Sequence, residues 1–408
     1  MFPEFDKLPS HPDLPDPLVL FDGHPVTTPA EWNDKRRPEL KALFEHYMYG
    51  YAPPAPEKIH AKVLFENKSF LDGKATLRET ELKFGPPATP ALHVLIILPN
   101  QVTGPVPVFT ALNFCGNHAV VADPGVAISE NWMYPKCAGC VDDRATEKGR
   151  GTQAAMWSAD LLVERGYGLV TCYYGDIDPD QPDFTDGIHP HYLPSGQTQP
   201  GQHDWGSIRA WAWGLSRIVD HLVTLPEIDP KRICVTGHSR LGKTALVAAA
   251  FDERFALAAP HQSGTGGCAL SRDNDQETVE RINRVFPHWF NDEFVKFANH
   301  EDKLPIDQHL LMALVAPRPL LDTEGDQDKW ANYSSSLRAL QSADKVYKLL
   351  GARGLVGAGL VQGDESVGDK KVGNLVQYRR DVKHELNRDF WQRMLDFADA
   401  QLPEQKTR

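Results

Sequence analysis

The sequence predicts an α/β fold, a doubly wound and mainly parallel sheet between two helical layers, and three observations predict it. The runs ALHVLIILP (91–99) and PVPVFTALNF (105–114) are continuously apolar, as strands covered on both faces are. Later apolar runs alternate with segments of helical character, the order of βαβ units. At 408 residues and 41% hydrophobic content, the chain is long enough to bury a large core in one domain with insertions.

The elements follow in order. Residues 1–30 are rich in Pro and Asp without periodicity and read as an extended arm. AEWNDKRRPELKALFEHYMYG (30–50) is helical and stops at Gly50. ATLRETELKFG (75–85) alternates as a strand does, and the two continuous runs come next. A long irregular loop (119–150) leads to a helix over 153–165 and the strand YGLVTCYY (167–174). In the loop after it, Asp176-x-Asp178-x-Asp180 imitates the opening of a calcium loop. Gln181 and Gly187 stand where that loop needs its glycine and glutamate, so a solvated acidic loop is expected. The helix GSIRAWAWGLSRIVDHLVTL (206–225) precedes the strand RICVTG (232–237), the helix RLGKTALVAAAF (240–251) and the strand FALAAP (255–260). An insertion (263–317), the strand PLLDTEG (319–325), a helix near 333–343, a strand KVYKLLG (345–351), an irregular stretch and a last helix (387–402) complete the pattern. Residues 1–85 are expected to pack as arm, helix and first strands on a domain formed by 86–408, with no flexible linker between them.

The composition excludes some functions. A net charge of −12 argues against a nucleic-acid or anionic-membrane surface, since either favours a basic face. No apolar run of about 18 residues predicts a membrane span. The six cysteines, Cys115, Cys137, Cys140, Cys172, Cys234 and Cys268, are scattered. Cys137-Ala138-Gly139-Cys140 has redox or zinc spacing, but no second pair or His cluster completes a metal site. Loop thiols or one local disulfide are the expectation. The first residues lack the basic and apolar regions of a signal peptide, which leaves a cytoplasmic protein or one whose signal has been removed.

The chemistry concentrates in VTGHSRLGKTAL (235–246), which satisfies two incompatible patterns. Gly237-x-x-x-x-Gly242-Lys243-Thr244 is a phosphate-binding loop by spelling. Gly237-His238-Ser239, between a strand and a helix, is a turn that presents a nucleophilic serine to a helix N-terminus. The phosphate reading is poorly placed, after several earlier strands, and fills its loop with His238 and Arg240 where small residues are usual. The serine reading needs an acid and then a histidine, each beyond a later strand. Asp326 and Asp328 follow PLLDTEG, and His384 precedes the last helix. Ser239, an acid and His384 then form the arrangement of an α/β-hydrolase, in which the acid orients the imidazole that takes the serine proton. One departure stands out: Leu241 occupies the usual small position two after the serine, and glycine is displaced to Gly242. Asn113 and His118 lie where a second oxyanion donor often sits, with bracing of the loop as the alternative. Arg240 and Lys243 are two cations in a first helical turn, where the helix dipole opposes them, which suggests a use such as holding an anion.

The spelling G-x-S-R-x-G-K resembles the serine turn of the glucuronoyl esterases of carbohydrate esterase family 15. LNFCGNHAV (112–120), GYGLVTCYYGDIDPD (166–180), AWAWGLSRIVDHL (210–222), DERFALAAPHQSG (252–264), PIDQHLLMALVAPRPLL (305–321) and DKWA (328–331) are similar to bacterial members. The resemblance implies that Ser239 is the nucleophile, His384 the general base and Arg240 the residue that stabilises the oxyanion. It implies that Lys243, Trp330 and Glu277 contact a glucuronate ring. Fungal members carry the acid where this chain has Gln262, which cannot hold a charge and is grouped with the substrate contacts. The bacterial acid position is Asp328, with Asp326 and then Glu324 as alternatives. Many fungal members also join the residue before the serine to the one after the histidine by a disulfide; here these are His238 and Glu385, for which a hydrogen bond or ion pair is the expectation.

The implied activity is hydrolysis of the ester between 4-O-methyl-glucuronate of glucuronoxylan and a lignin alcohol, through an acyl-enzyme and without metal or organic cofactor. An acetyl xylan esterase is the alternative, with a nucleotide-binding protein or a non-catalytic carbohydrate-binding module further off. A xylan-bound substrate implies a secreted or periplasmic enzyme, and a monomer is expected.

Overall fold

The structure, a computed structural model, describes residues 2–194, 196–369 and 371–402. Among them lie the strands β1 (Ile59–Phe70), β2 (Ala75–Phe84), β3 (Leu92–Pro99), β4 (Val106–Asn113), β5 (Gly168–Tyr173), β6 (Ile228–His238), β7 (Phe255–His261), β8 (Leu320–Gly325), β9 (Leu360–Gln362) and β10 (Leu375–Arg380). They form one sheet in the order β1-β2-β3-β5-β4-β6-β7-β8-β10-β9. The β1, β2, β3 and β5 neighbours pair antiparallel, and every pairing from β5 through β4 to β9 is parallel. The parallel strands all end on the same side, and ligands of such sheets bind outside those carboxyl ends.

Alternation along the central strands decides which layer each side chain joins. Val108 and Leu112 of β4 enter one core with the helices Ser207–Leu222, Arg240–Phe251, Gln308–Val315 and Tyr333–Leu349. Phe109 and Ala111 enter the other, against Ala159–Glu164 and Arg388–Gln401. All eight residues of β4 are buried, which is why its sequence reads as a continuous apolar run. The arm contributes Leu8 and Val26 to the first core, and the helical stretch Pro29–Tyr49 adds Trp32, Leu40, Phe44 and Tyr49. Thr28 opens that stretch with a capping box to Glu31. Gly50 closes it at φ +82, where a Cβ would lie 2.1 Å from the Asp204 carbonyl oxygen.

Two expectations need correction. KVYKLLG is not a strand but the end of the helix Tyr333–Leu349. Ala339, Leu340, Ala343, Val346 and Tyr347 are buried at helical spacing, so the face needed by the core overrides the β-branched and aromatic local signal. The strand beside β8 is β10, inside a stretch read as irregular, where Leu375 pairs with Leu320 and Tyr378 with Thr323. The cysteines fit what was expected: Cys137 of the Cys-x-x-Cys pair joins Cys115, 22 residues earlier, in one local disulfide, and Cys140 is a free thiol. The strand β1, exposed along most of its length at the sheet edge, carried no apolar pattern by which it could be read.

Candidate functional site

The nucleophile turn follows from close packing. β6 runs into Ser239, whose φ of 59° and ψ of −125° are strained for a residue with a Cβ, and the helix Arg240–Phe251 starts at once. The Ser239 N–H donates to the His261 carbonyl at 2.9 Å, and the Gly242 and Lys243 N–H groups donate to the Ser239 carbonyl at 2.8 and 3.1 Å. A Cβ on Gly237 would meet the Leu241 carbonyl oxygen at 2.1 Å, and one on Gly242 the Gly237 and His261 carbonyl oxygens at 2.8 Å. Glycine is therefore needed at 242, where helix and strands touch, while Leu241 turns into the core. This accounts for the displaced glycine.

The acid and the histidine meet at the same sheet edge. Asp328 sits in a turn after β8, its N–H bonded to the Gly325 carbonyl at 3.0 Å. Its Oδ2 lies 2.5 Å from His384 Nδ1, and its side chain is 4% exposed against 40% for the histidine. A carboxylate at Nδ1 assigns the proton to that nitrogen and leaves Nε2 as the basic one. Asp326 faces away, 3.6 Å from Arg379. Glu324 is fully buried, and burial first, then Asp322 beside it, push its carboxyl well up. Of the three acids considered, Asp328 is the one hydrogen-bonded to His384.

His238 and Glu385 do not pair. The His238 ring lies tilted against His384 at 4.4 Å and against His261 at 5.0 Å, centroid to centroid. Burial, reinforced by those two imidazoles, holds His238 well below the ordinary histidine value, so it has no charge to offer. The Glu385 carboxylate accepts from Asn387 Nδ2 at 2.9 Å instead.

The two cations of the first helical turn have different surroundings. The Arg240 guanidinium pairs with Asp180 and lies among the rings of Phe114, Tyr134, Phe286 and Trp289, at 5.1 to 5.7 Å from their centroids. Its Nε is buried without a partner. Asp180 also accepts from His288 Nε2 at 2.9 Å and Trp289 Nε1 at 2.8 Å. Burial alone would push the Asp180 carboxyl up; the His288 bond and the charge of Arg240 outweigh it and hold it at about 2. The loop expected to be solvated is thus buried, with Asp176, Asp178 and Asp180 all under 10% exposed. Each acid is matched: Asp176 by His93 and Asn131, Asp178 by His189 and Ser207, Asp180 by Arg240.

Lys243 is buried, and its Nζ donates to the Ser263 and Thr265 carbonyls, both at 2.7 Å, and to Glu277 Oε2 at 2.8 Å. Three acceptors match the three protons of an ammonium, which leaves none for a phosphate and overturns the phosphate-loop reading. Burial lowers the lysine, and Glu277 opposes that shift. Glu277 accepts from the Thr265 N–H at 2.8 Å and, through Oε1, from Trp330 Nε1 at 2.9 Å. The chain Lys243–Glu277–Trp330 ends at an indole that is 40% exposed, so Trp330 carries this network to the surface of the site.

Gln262, grouped with the substrate contacts, is 1% exposed, and both ends of its amide are bonded to backbone beside His384. It therefore has no free end to offer a ligand. Asn113 braces the loop after β4: its Nδ2 donates to Asn117 and Thr171 at 3.0 and 3.1 Å. His118 is buried nearby, and burial lowers its basicity. Sequence reasoning missed Asp180 as the partner of Arg240. The signal was present in three acids standing just past a buried strand, at the end where the site lies.

Sheet, nucleophile turn, acid and histidine define an α/β-hydrolase. A family described as "Glucuronyl esterase, fungi" matches residues 198–351. A carbohydrate esterase from an unknown prokaryotic organism is 43% identical over 95% of this chain and 89% of its own length. A 4-O-methyl-glucuronoyl methylesterase of Wolfiporia cocos is 31% identical over 83% of this chain and 72% of its own. Among solved structures, a promiscuous CE15 esterase from a marine bacterial metagenome superposes with a TM-score of 0.88 at 41% identity, over 98% of this chain and 99% of that one. The glucuronoyl esterase of Solibacter usitatus gives 0.88 at 36% identity, over 97% and 99%. The chain belongs to carbohydrate esterase family 15, the glucuronoyl esterases, and is a carboxylic ester hydrolase.

Proposed function

We propose that this chain hydrolyses the ester between 4-O-methyl-D-glucuronate of glucuronoxylan and a lignin alcohol, by acyl transfer through Ser239. The observation that carries the mechanism is the 2.5 Å contact of Asp328 with His384 beside the strained Ser239 turn. His384 Nε2 takes the Ser239 proton as Oγ attacks the ester carbonyl, and Asp328 stabilises the imidazolium that results. The oxyanion rests on the Arg240 N–H at the helix start and on its guanidinium, whose Nε has no internal partner. His384 then protonates the departing alcohol and, from the other direction, activates the water that releases the uronate.

Trp330 and, through Glu277, Lys243 form the wall that meets the sugar ring in this reading. The sugar meets the indole, while Glu277, buried and bonded through both oxygens, ties that indole to the ammonium behind it. A secreted or periplasmic site of action is supported by the Cys115–Cys137 disulfide, a bond of oxidising compartments. No helix among the described residues is long and apolar enough to cross a membrane.

The test is hydrolysis of benzyl glucuronate by the wild type, Ser239→Ala and Asp328→Asn, with an acetyl ester alongside. Cleavage of the uronate ester, lost in both variants, is expected. Cleavage of the acetyl ester alone would overturn the substrate, and an active Asp328→Asn would overturn the acid.

A further inference from the structure

We propose that His261 and Gln262, at the end of β7, are positioning residues for the general base: a noncovalent splint that fixes His384 against both Ser239 and Asp328. The proposal rests on the triad reading above and deepens it.

Both backbone and side chains of this dipeptide are engaged, in different directions. The His261 carbonyl accepts from the Ser239 N–H at 2.9 Å, and the Gln262 N–H donates to the Thr323 carbonyl of β8 at 2.8 Å. One bond reaches the nucleophile and the other the strand that leads to Asp328. The side chains reach the third component. Gln262 Nε2 donates to the Lys383 carbonyl at 2.8 Å, and its Oε1 accepts from the Glu385 N–H at 2.9 Å. His261 Nε2 lies 2.8 Å from the Glu385 carbonyl. The backbone on both sides of His384 is therefore held by two adjacent side chains.

Burial lowers the His261 pKa to about 4, so the ring is neutral. Its Nε2 lies 2.8 Å from the Glu385 carbonyl, and its Nδ1 lies 2.9 Å from the Thr323 hydroxyl and 3.1 Å from the Thr323 carbonyl, so a proton on either nitrogen finds an acceptor. Three neighbouring imidazoles could not all charge, and keeping His261 and His238 neutral leaves His384 free to become the imidazolium.

Two further features belong to this arrangement. Gln262 takes φ +45°, a conformation that costs a side-chain-bearing residue energy and that clusters at functional sites. A Cβ on Gly325 would lie 2.4 Å from Gln262 Nε2 and 2.6 Å from the Val382 carbonyl oxygen, so glycine there clears the path of the amide to the loop.

The experiment uses benzyl glucuronate kinetics on two variants of the intact enzyme, with Ser239→Ala as control. Gln262→Met keeps the length and removes both bonds; kcat is expected to fall at least tenfold with KM within about twofold. An unchanged kcat, or a rise in KM alone, would overturn the splint. Gln262→Glu gives a readout that mere packing would not move. Protonated, its carboxyl can still donate to the Lys383 carbonyl and accept from the Glu385 N–H; ionised, it can only accept. The ratio of variant to wild-type kcat should therefore fall as pH rises. A ratio that stays flat near one, or rises with pH, would refute the need for the amide donor. If Ser239→Ala retains activity, the triad reading itself fails; if it is inactive while both Gln262 variants match the wild type, the splint alone fails.

Discussion

Arg240 and Lys243 rise from the same helical turn, one residue and four residues past Ser239, yet they are different kinds of cation. Lys243 has three internal acceptors for three protons, one of them a carboxylate, so its charge is answered inside the protein. Arg240 has one carboxylate, a surround of aromatic rings and a buried Nε with nothing to bond. A fully bonded buried cation holds other groups in place. A partly bonded one can answer charge that appears only during reaction, which is what lowers a barrier rather than a dissociation constant. On the proposed mechanism, the comparison places Arg240 in kcat and Lys243 in stability and, through Glu277, behind the sugar wall.

The largest effect that would sharpen this contrast is on turnover. Arg240→Met should lower kcat by about 100-fold to 1,000-fold with little change in KM, as loss of an oxyanion donor does. Steady-state kinetics check it, and a change confined to KM would reverse the assignment. Lys243→Met should act through the fold, because it strands the buried Glu277 carboxylate; removal of one partner of a buried pair costs about 3–5 kcal/mol. Thermal or urea unfolding would measure that loss, and Lys243→Met with Glu277→Gln should recover much of it.

A pH experiment separates the two ion pairs. Asp180 is held at about 2, below its unfolded value near 3.8. Its contribution to stability is therefore present above the unfolded value and is lost as pH falls from about 4 through 2. Acid unfolding followed by near-ultraviolet circular dichroism should lose that part of its pH dependence in Asp180→Asn. The smallest effect is that of Trp330→Phe, which keeps a ring but deletes the bond to Glu277. With a hydrogen bond worth about 1 kcal/mol, KM should rise roughly fivefold and kcat should hold.

What could be read in the sequence was what is local. The strands β3 and β4 and the turn at Ser239 each depend on residues close together in the chain; the acid and His384 were found by their places after later strands, and Asp328 was picked from its neighbours by family resemblance. The displaced glycine was visible but not its reason, since its contacts are carbonyls of two strands. What escaped depends on partners far away. Asp180 meets Arg240 from 60 residues off, so three acids in a row looked like a solvated loop. Val346 and Tyr347 favour a strand by type and become helix because the core lies at helical spacing from Ala339 and Ala343. Gln262 was placed by what it could not do, carry a charge, whereas what it does do depends on backbone groups 121 and 123 residues away.

The Cys115–Cys137 bond has a practical side. Phe114 precedes the first cysteine and Tyr134 stands three residues before the second, and both rings flank the Arg240 guanidinium. The crosslink thus ties together the two segments that set these rings beside Arg240. Enzyme made in a reducing cell or kept with thiol reagents should therefore turn over slowly as well as melt lower, by the roughly 3 kcal/mol that a crosslink of this loop length contributes, and a brief oxidation should restore both. Quality control of such preparations then needs an activity assay and a thiol count beside the melting curve.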